Sequence, residues 1–454
     1  MTNDSTQMSS TRFNQQLDNL PLSRFHWRLL FVSGLGWMFD AMDILIVSSV
    51  VAAVAREWNL DVNATQWINS ANVAGLFFGA LAAGWLADRI GRKSVFQITL
   101  LIYSIFNGLS AFATGVVVLM LIRFIAGLGL GGELPVASTL MSEFSPAKRR
   151  GMLVVLLESF WAYGSVLAAL IGFLVVPSWG WRVAFLIGAL PALYVVIIRR
   201  RVPESPRFLV SQGKVKEAQA VMNQIEKEAG TPLAQVAPMT TPSASPTRTR
   251  VSELFSPRFI KRTIALWVMW ATMNFSYYGI FLWLPTQFVR KGFTLSDALL
   301  FNLIIAFAQI PGYFTAAYFV ERLGRKVTLV AYLLGAAIAA FFFGQVALVG
   351  KDIPSILIWG SLISFFNLGA WGVVYTYTPE MYPTWLRGTG AGWAAAIGRI
   401  FAFIAPLSIA YQIALFGGDQ TVFLVFMAIM ILGGIVVFLL GPETRGRTLE
   451  ELAT

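Results

Sequence analysis

The sequence predicts an all-α membrane protein of twelve transmembrane helices, built as two six-helix pseudo-repeats with the N- and C-termini both cytoplasmic. Three observations carry this expectation. Of 454 residues, 57% are hydrophobic and only 13% are charged, against roughly 45–50% apolar and about 25% charged in soluble domains. Apolar runs that match the ~20 residues needed to cross a hydrocarbon core recur along the chain, with polar breaks between them. Three polar motifs of the first half also return in the second, at an interval of roughly 235 residues, the mark of a duplicated unit.

Taken in order, residues 1–24 are rich in Ser, Thr, Asn and Gln and lack an apolar core, so they read as a cytoplasmic tail rather than a signal peptide. Residues 25–202 form the first bundle, with spans 1 to 6 at 27–54, 65–87, 95–114, 117–141, 152–176 and 181–199. Residues 203–262 are the cytoplasmic linker. Its charges alternate over 213–229, which fits an amphipathic surface helix or a solvated segment equally. The second bundle, 263–441, carries spans 7 to 12 at 263–285, 296–319, 328–348, 354–377, 389–415 and 421–441, and 442–454 is a cytoplasmic tail.

Charge fixes the orientation. Of 34 Lys and Arg, only Arg56, Arg182, Arg290, Lys291 and Lys351 fall on the outside, Arg123 and Arg399 lie within spans, and the rest are cytoplasmic. The net charge of +11 therefore records topology, and no nucleic-acid partner is expected. There is no cysteine, the one histidine, His26, stands at the edge of span 1, and no nucleotide motif is present. No cofactor, metal site or enzymatic chemistry is expected from such a set.

The repeated motifs lie at cytoplasmic helix ends. Asp88, Arg89, Ile90, Gly91, Arg92 and Lys93 follow span 2, and Glu321, Arg322, Leu323, Gly324, Arg325 and Lys326 follow span 8. Glu143, Pro146, Arg150 and Gly151 match Glu380, Pro383, Arg387 and Gly388 after spans 4 and 10, and Pro203–Glu204 matches Pro442–Glu443. The charged members, Asp88, Arg89, Arg92, Glu143, Arg150, Glu321, Arg325, Glu380 and Arg387, are expected to act as conformational latches; the plainer reading is that they only anchor the topology. Parallel repeats of this kind place a substrate cavity near the midplane, between the halves.

Charges inside the spans point to that cavity. A carboxylate at the bilayer centre costs about 2.5–3.5 kcal/mol on insertion scales. Asp40 and Asp43, spaced i, i+3 on span 1, share one helix face. At such a separation their repulsion is about 3 kcal/mol in an effective dielectric near 20, which makes the pair a proton-binding site. With Glu133 and Glu158 they make four acids against two bases, Arg123 and Arg399. The surplus is expected to hold protons opposite Arg399, although Glu133 paired with Arg123 would be merely structural. Arg399, beside Gly398 and Ala394–Ala396, is the first choice for a substrate anion because its planar fork matches a carboxylate. Glu158 is its alternative partner in the empty protein. Asn274, Tyr277 and Tyr278 of span 7, Asn367, Trp371 and Tyr375 of span 10 and Trp161 of span 5 offer flat faces and polar tips for a ligand. Asn69, Asn72 and Gln309, two residues before Pro311, are placed along the path, and Gly127, Gly129 and Gly131 read as close-packing surfaces.

These loops resemble the signatures of the major facilitator superfamily. Pro203–Arg207, Pro379–Gly388 and Pro442–Leu449 resemble its sugar-porter branch, and the likeness runs from about Arg24 to Leu452. The Asp40 and Asp43 pair departs from sugar porters and resembles the aromatic acid:proton symporters and bacterial niacin transporters. Ala41, in place of a glycine after the first aspartate, favours the niacin group. The resemblance implies a monomeric, proton-coupled secondary transporter of the bacterial inner membrane. It would import a small aromatic monocarboxylate, niacin first, by alternating access, its partners being an organic anion, protons and the lipid bilayer. The competing readings are a proton symporter for benzoate-type acids or a sugar, and a membrane receptor that binds without translocating.

Overall fold

The computed structural model describes residues 21–90, 92–146, 150–194, 202–206, 209, 214–229, 251–350, 352–382 and 384–445, a few helix side chains among them excepted. A helix stands at each of the twelve predicted stretches, and there is no strand among the described residues. In the first half these are α1 (Arg24–Glu57), α2 (Val62–Ile90), α3 (Arg92–Ser110), α4 (Val116–Phe144), α5 (Arg150–Trp179) and α6 (Trp181–Gly188). The linker contributes α7 (Val215–Ala229). In the second half follow α8 (Ile260–Arg290), α9 (Leu295–Phe307), α10 (Gln309–Leu323), α11 (Arg325–Phe342), α12 (Ile353–Glu380), α13 (Thr384–Phe416) and α14 (Asp419–Leu440). Among the described residues, seven helices are long and apolar enough to cross a membrane, five of them in the second half.

Local chemistry explains the ends and breaks. The Ser23 backbone N–H donates to His26 Nδ1 at 3.2 Å, so His26 Nε2 is left to donate to the Phe144 carbonyl, also at 3.2 Å. The lone histidine thus caps α1 and ties it to the end of α4. Predicted span 8 is two helices because Pro311 has no N–H to offer the Phe307 carbonyl, and the chain breaks at Ala308. Asp352 caps α12 by accepting from Ser355 N at 3.0 Å, and the bonds from Ser355 hold its carboxyl below the ordinary carboxylate pKa. The alternating charges of the linker prove helical: α7 buries Ala218, Met222 and Ile225 on one face, and its Glu228 meets Arg28 of α1 at 2.8 Å.

Within the first half α2 and α4 press backbone to backbone. A Cβ on Gly79 would stand 2.1 Å from the Leu128 carbonyl oxygen, and one on Gly131 2.0 Å from that of Leu76. Only glycine admits this approach. The two halves meet through α8 on α1, α13 on α2 and α9 on α5. Ser70 Oγ donates to the Phe403 carbonyl at 3.2 Å, and Ala169 of α5 packs with Leu303 and Ala306 of α9. These contacts lie toward the helix ends opposite the docked linker, and a cavity opens between the two halves.

Candidate functional site

The cavity takes its wall from five helices of both halves. On α8, Trp270, Asn274, Tyr277 and Tyr278 recur at i, i+4, i+7 and i+8, which puts them on one face. Trp371 and Tyr375 of α12 do the same at i, i+4, and α10 adds Tyr313 just past its proline break. Glu158 and Trp161 come from α5 of the first half, and Arg399 comes from α13 of the second.

The wall is aromatic and its geometry is locked. Trp270 meets Trp371 and Tyr375 edge-on, each with centroids 5.6 Å apart, and Tyr277 meets Trp371 at 6.3 Å. Trp161 Nε1 donates to the Tyr277 hydroxyl at 2.6 Å, a bond between the two halves. Trp270 Nε1 donates to Thr378 Oγ1 at 2.9 Å, and Asn274 Nδ2 to the Trp270 carbonyl at 2.9 Å. These polar tips are occupied, so the rings present their faces to the cavity.

The charged groups are less committed. Arg399 Nη1 donates to the Tyr278 hydroxyl at 3.5 Å, the outer limit of a hydrogen bond. Glu158 is 2% exposed, and no hydrogen bond or ion pair engages it among the described residues. Both charges line the same cavity without forming an ion pair with each other.

The span 1 acids are placed differently. Asp43 meets Arg123 at 3.2 Å with both side chains fully buried. Arg123 also donates to Asn107 at 2.8 Å and Asn72 at 3.2 Å, and its guanidinium lies 5.3 Å from the Phe185 ring centre. This cluster belongs to α1 to α4 and α6 of the first half. Asp40 is fully buried one turn away, and neither aspartate lines the cavity that holds Arg399. The expectation that the helix 1 pair faces Arg399 is therefore corrected: Arg123 takes Asp43, and Glu158 is the acid that shares the cavity. Glu133 lies outside the described side chains.

Asn367 also stands off the cavity, where its Nδ2 donates to Ser276 Oγ at 2.9 Å and joins α12 to α8. Sequence reasoning missed Trp270 and Tyr313. Trp270 was discoverable as one turn from Asn274 on the same face; Tyr313 carries no such signal.

At the helix ends on the linker side, Arg325 bridges Glu380 at 3.1 Å and Glu321 at 3.5 Å, all within the second half. The Glu443 carboxylate accepts from the backbone of Arg325 at 2.9 Å and Lys326 at 3.1 Å, which caps α11. Glu204 does the same for Lys93 of α3 at 3.3 Å, so the repeat holds in three dimensions. The side chains of Asp88, Arg89, Arg92, Glu143, Arg150 and Arg387 lie outside the described part.

Residues 25–454 match the family described as "Sugar (and other) transporter". The chain belongs to this family. As a member of the sugar (and other) transporter family it is a multi-pass membrane transporter and not an enzyme. Among relatives, the niacin transporter NiaP of Acinetobacter baylyi is 46% identical over 437 residues, covering 96% of this chain and 98% of that protein. The putative niacin/nicotinamide transporter NiaP of Bacillus subtilis is 42% identical, covering 93% and 98%. The partially occluded inward-open xylose transporter XylE from E. coli superposes with a TM-score of 0.75 at 18% identity, over 94% of this chain and all of that one. That likeness concerns the fold of the family alone.

Proposed function

We propose that this protein imports niacin together with protons across the bacterial inner membrane by alternating access, as a monomer. One observation carries the reading: a buried acid without a partner among the described residues, Glu158, and a lightly held guanidinium, Arg399, share one aromatic-walled cavity between the two halves. The names of the two bacterial relatives support the choice of substrate.

Charge conservation in a low-dielectric cavity supplies the coupling. Empty, a Glu158 carboxylate and the Arg399 guanidinium sum to zero. A carboxylate ligand that binds Arg399 would leave one net negative charge buried, which costs several kcal/mol unless it is neutralised. Protonation of Glu158 restores zero, so anion and proton load together. Carrying an anion into a negative cell costs about 2.3 kcal/mol per 100 mV, and one proton cancels that cost. The Asp43–Arg123 pair, with Asp40 and Glu133 nearby in sequence, offers a second protonation locus, and a second proton would let the potential assist.

Arg399 holds the substrate carboxylate; Tyr277, Tyr278, Trp161, Trp371 and Tyr375 enclose its ring. Opening requires the seal of α1, α2 and α5 against α8, α9 and α13 to part while the inner ends close, where Arg325, Glu380 and their first-half counterparts serve as latches. Uptake of labelled niacin into proteoliposomes tests the reading. Accumulation above equilibrium is expected only with an acid-outside gradient and without competition from glucose. Saturable binding without accumulation would make the protein a receptor.

A further inference from the structure

The relatives' substrate is a pyridine ring that carries a carboxylate at the meta position, and the anion clamp accounts for only one of its two polar ends. The ring nitrogen has a lone pair and no hydrogen, so a dry cavity must offer it a donor or exclude it. The indole N–H groups of the wall are already engaged; besides Arg399, the hydroxyls of Tyr278, Tyr313 and Tyr375 and the Glu158 carboxyl remain as donors. Trp161 Nε1 serves Tyr277, Trp270 Nε1 serves Thr378, and Asn274 Nδ2 serves the Trp270 carbonyl. Arg399 is required by the carboxylate.

Glu158 stands across the interface from that clamp, on α5 of the other half, and it is buried without a hydrogen-bond partner among the described residues. We propose that the protonated Glu158 carboxyl donates its hydrogen bond to the ring nitrogen of a pyridine carboxylate whose carboxylate is held by Arg399. The two halves thereby read opposite ends of one ligand, and the proton that travels with the substrate is the one that recognises it. The proton stays on the Glu158 oxygen, and no bond of the substrate is made or broken. This inference rests on the proposed niacin reading and adds the residue that separates pyridine carboxylates from benzoates.

The titratable groups lining the cavity with Glu158 are Tyr277 and Tyr278 of α8, Tyr313 of α10, Tyr375 of α12 and Arg399 of α13. Asp40 and Asp43 lie on α1, which packs on α5 but does not line the cavity. A substrate carboxylate on Arg399 would leave an ionised Glu158 as an uncompensated negative charge in the cavity, so donor and ligand load together.

The test is equilibrium binding of nicotinate, benzoate and pyridine-2-carboxylate to the detergent-purified full chain, wild type and the variants Glu158→Leu, Glu158→Gln and Tyr313→Phe. Wild type should prefer nicotinate over both analogues by roughly ten- to a hundredfold, the penalty for an unmatched polar group in a closed site. Glu158→Leu should bring the nicotinate to benzoate ratio close to one. Glu158→Gln, whose amide can still donate, and Tyr313→Phe should keep it. A Glu158→Leu variant that binds and retains the wild-type ratio overturns the inference, as does a ratio lost only in Tyr313→Phe. Failure of the underlying reading looks different: wild type would then show no saturable nicotinate binding at all.

Discussion

A guanidinium that touches one tyrosine hydroxyl at 3.5 Å keeps most of its N–H donors for a ligand. Lysine preserves the charge at that place and loses the fork, so Arg399→Lys should weaken niacin binding by at least about tenfold, or ~1.4 kcal/mol, in titration calorimetry. An unchanged affinity would remove the carboxylate clamp. Asp43 makes the opposite case, because its partner is sealed. Asp43→Asn deprives the buried Arg123 of its Asp43 partner and should cost about 3–5 kcal/mol, read as a lowered unfolding midpoint in detergent. The double variant Asp43→Leu with Arg123→Leu should recover much of that loss. The charges placed within helices were legible in the sequence, since each interrupts an apolar run. Their pairing was not. Arg123 is eighty positions from Asp43 and ten from Glu133, and only the rotation and depth of α4 against α1 decide between them.

Helix packing shows the same division between what a pattern reveals and what it leaves open. The glycines after Arg123 announced a close approach, and Gly131 indeed faces the Leu76 carbonyl of α2. Gly131→Ala should therefore push α2 and α4 apart and cost about 1–3 kcal/mol of stability, because a backbone oxygen cannot swing aside. Gly434→Ala, where the nearest atom is Leu333 Cβ at 3.9 Å, should leave the unfolding midpoint within a degree or two of wild type, the size of a surface substitution of roughly 0.5 kcal/mol. Equal effects of the two would contradict the packing account. The break of span 8 was readable at Pro311. For α7 the alternating charges drew attention away from Ala218, Met222 and Ile225, whose i, i+4, i+7 stripe explains why it docks on α1 instead of remaining solvated.

At the scale of the whole molecule, the duplicated loops were the strongest signal, and their geometry is repeated as well as their letters. Glu204 and Glu443 close the two halves in sequence, and each carboxylate returns to the first turn of the helix after the acid–Arg loop. Sequence spacing places the halves side by side but gives no rotation about their shared axis, which is why both the α1 pair and Glu158 of α5 were expected opposite Arg399 and only Glu158 lines its cavity. The central claim is that Glu158 carries the proton that loads with the anion. It is tested most directly by comparing net uptake and exchange in one preparation of Glu158→Gln proteoliposomes. A neutral, isosteric side chain should abolish accumulation of labelled niacin driven by an acid-outside gradient, while one-for-one exchange of labelled against unlabelled niacin continues. Gradient-driven accumulation at the wild-type level in that variant would contradict the account.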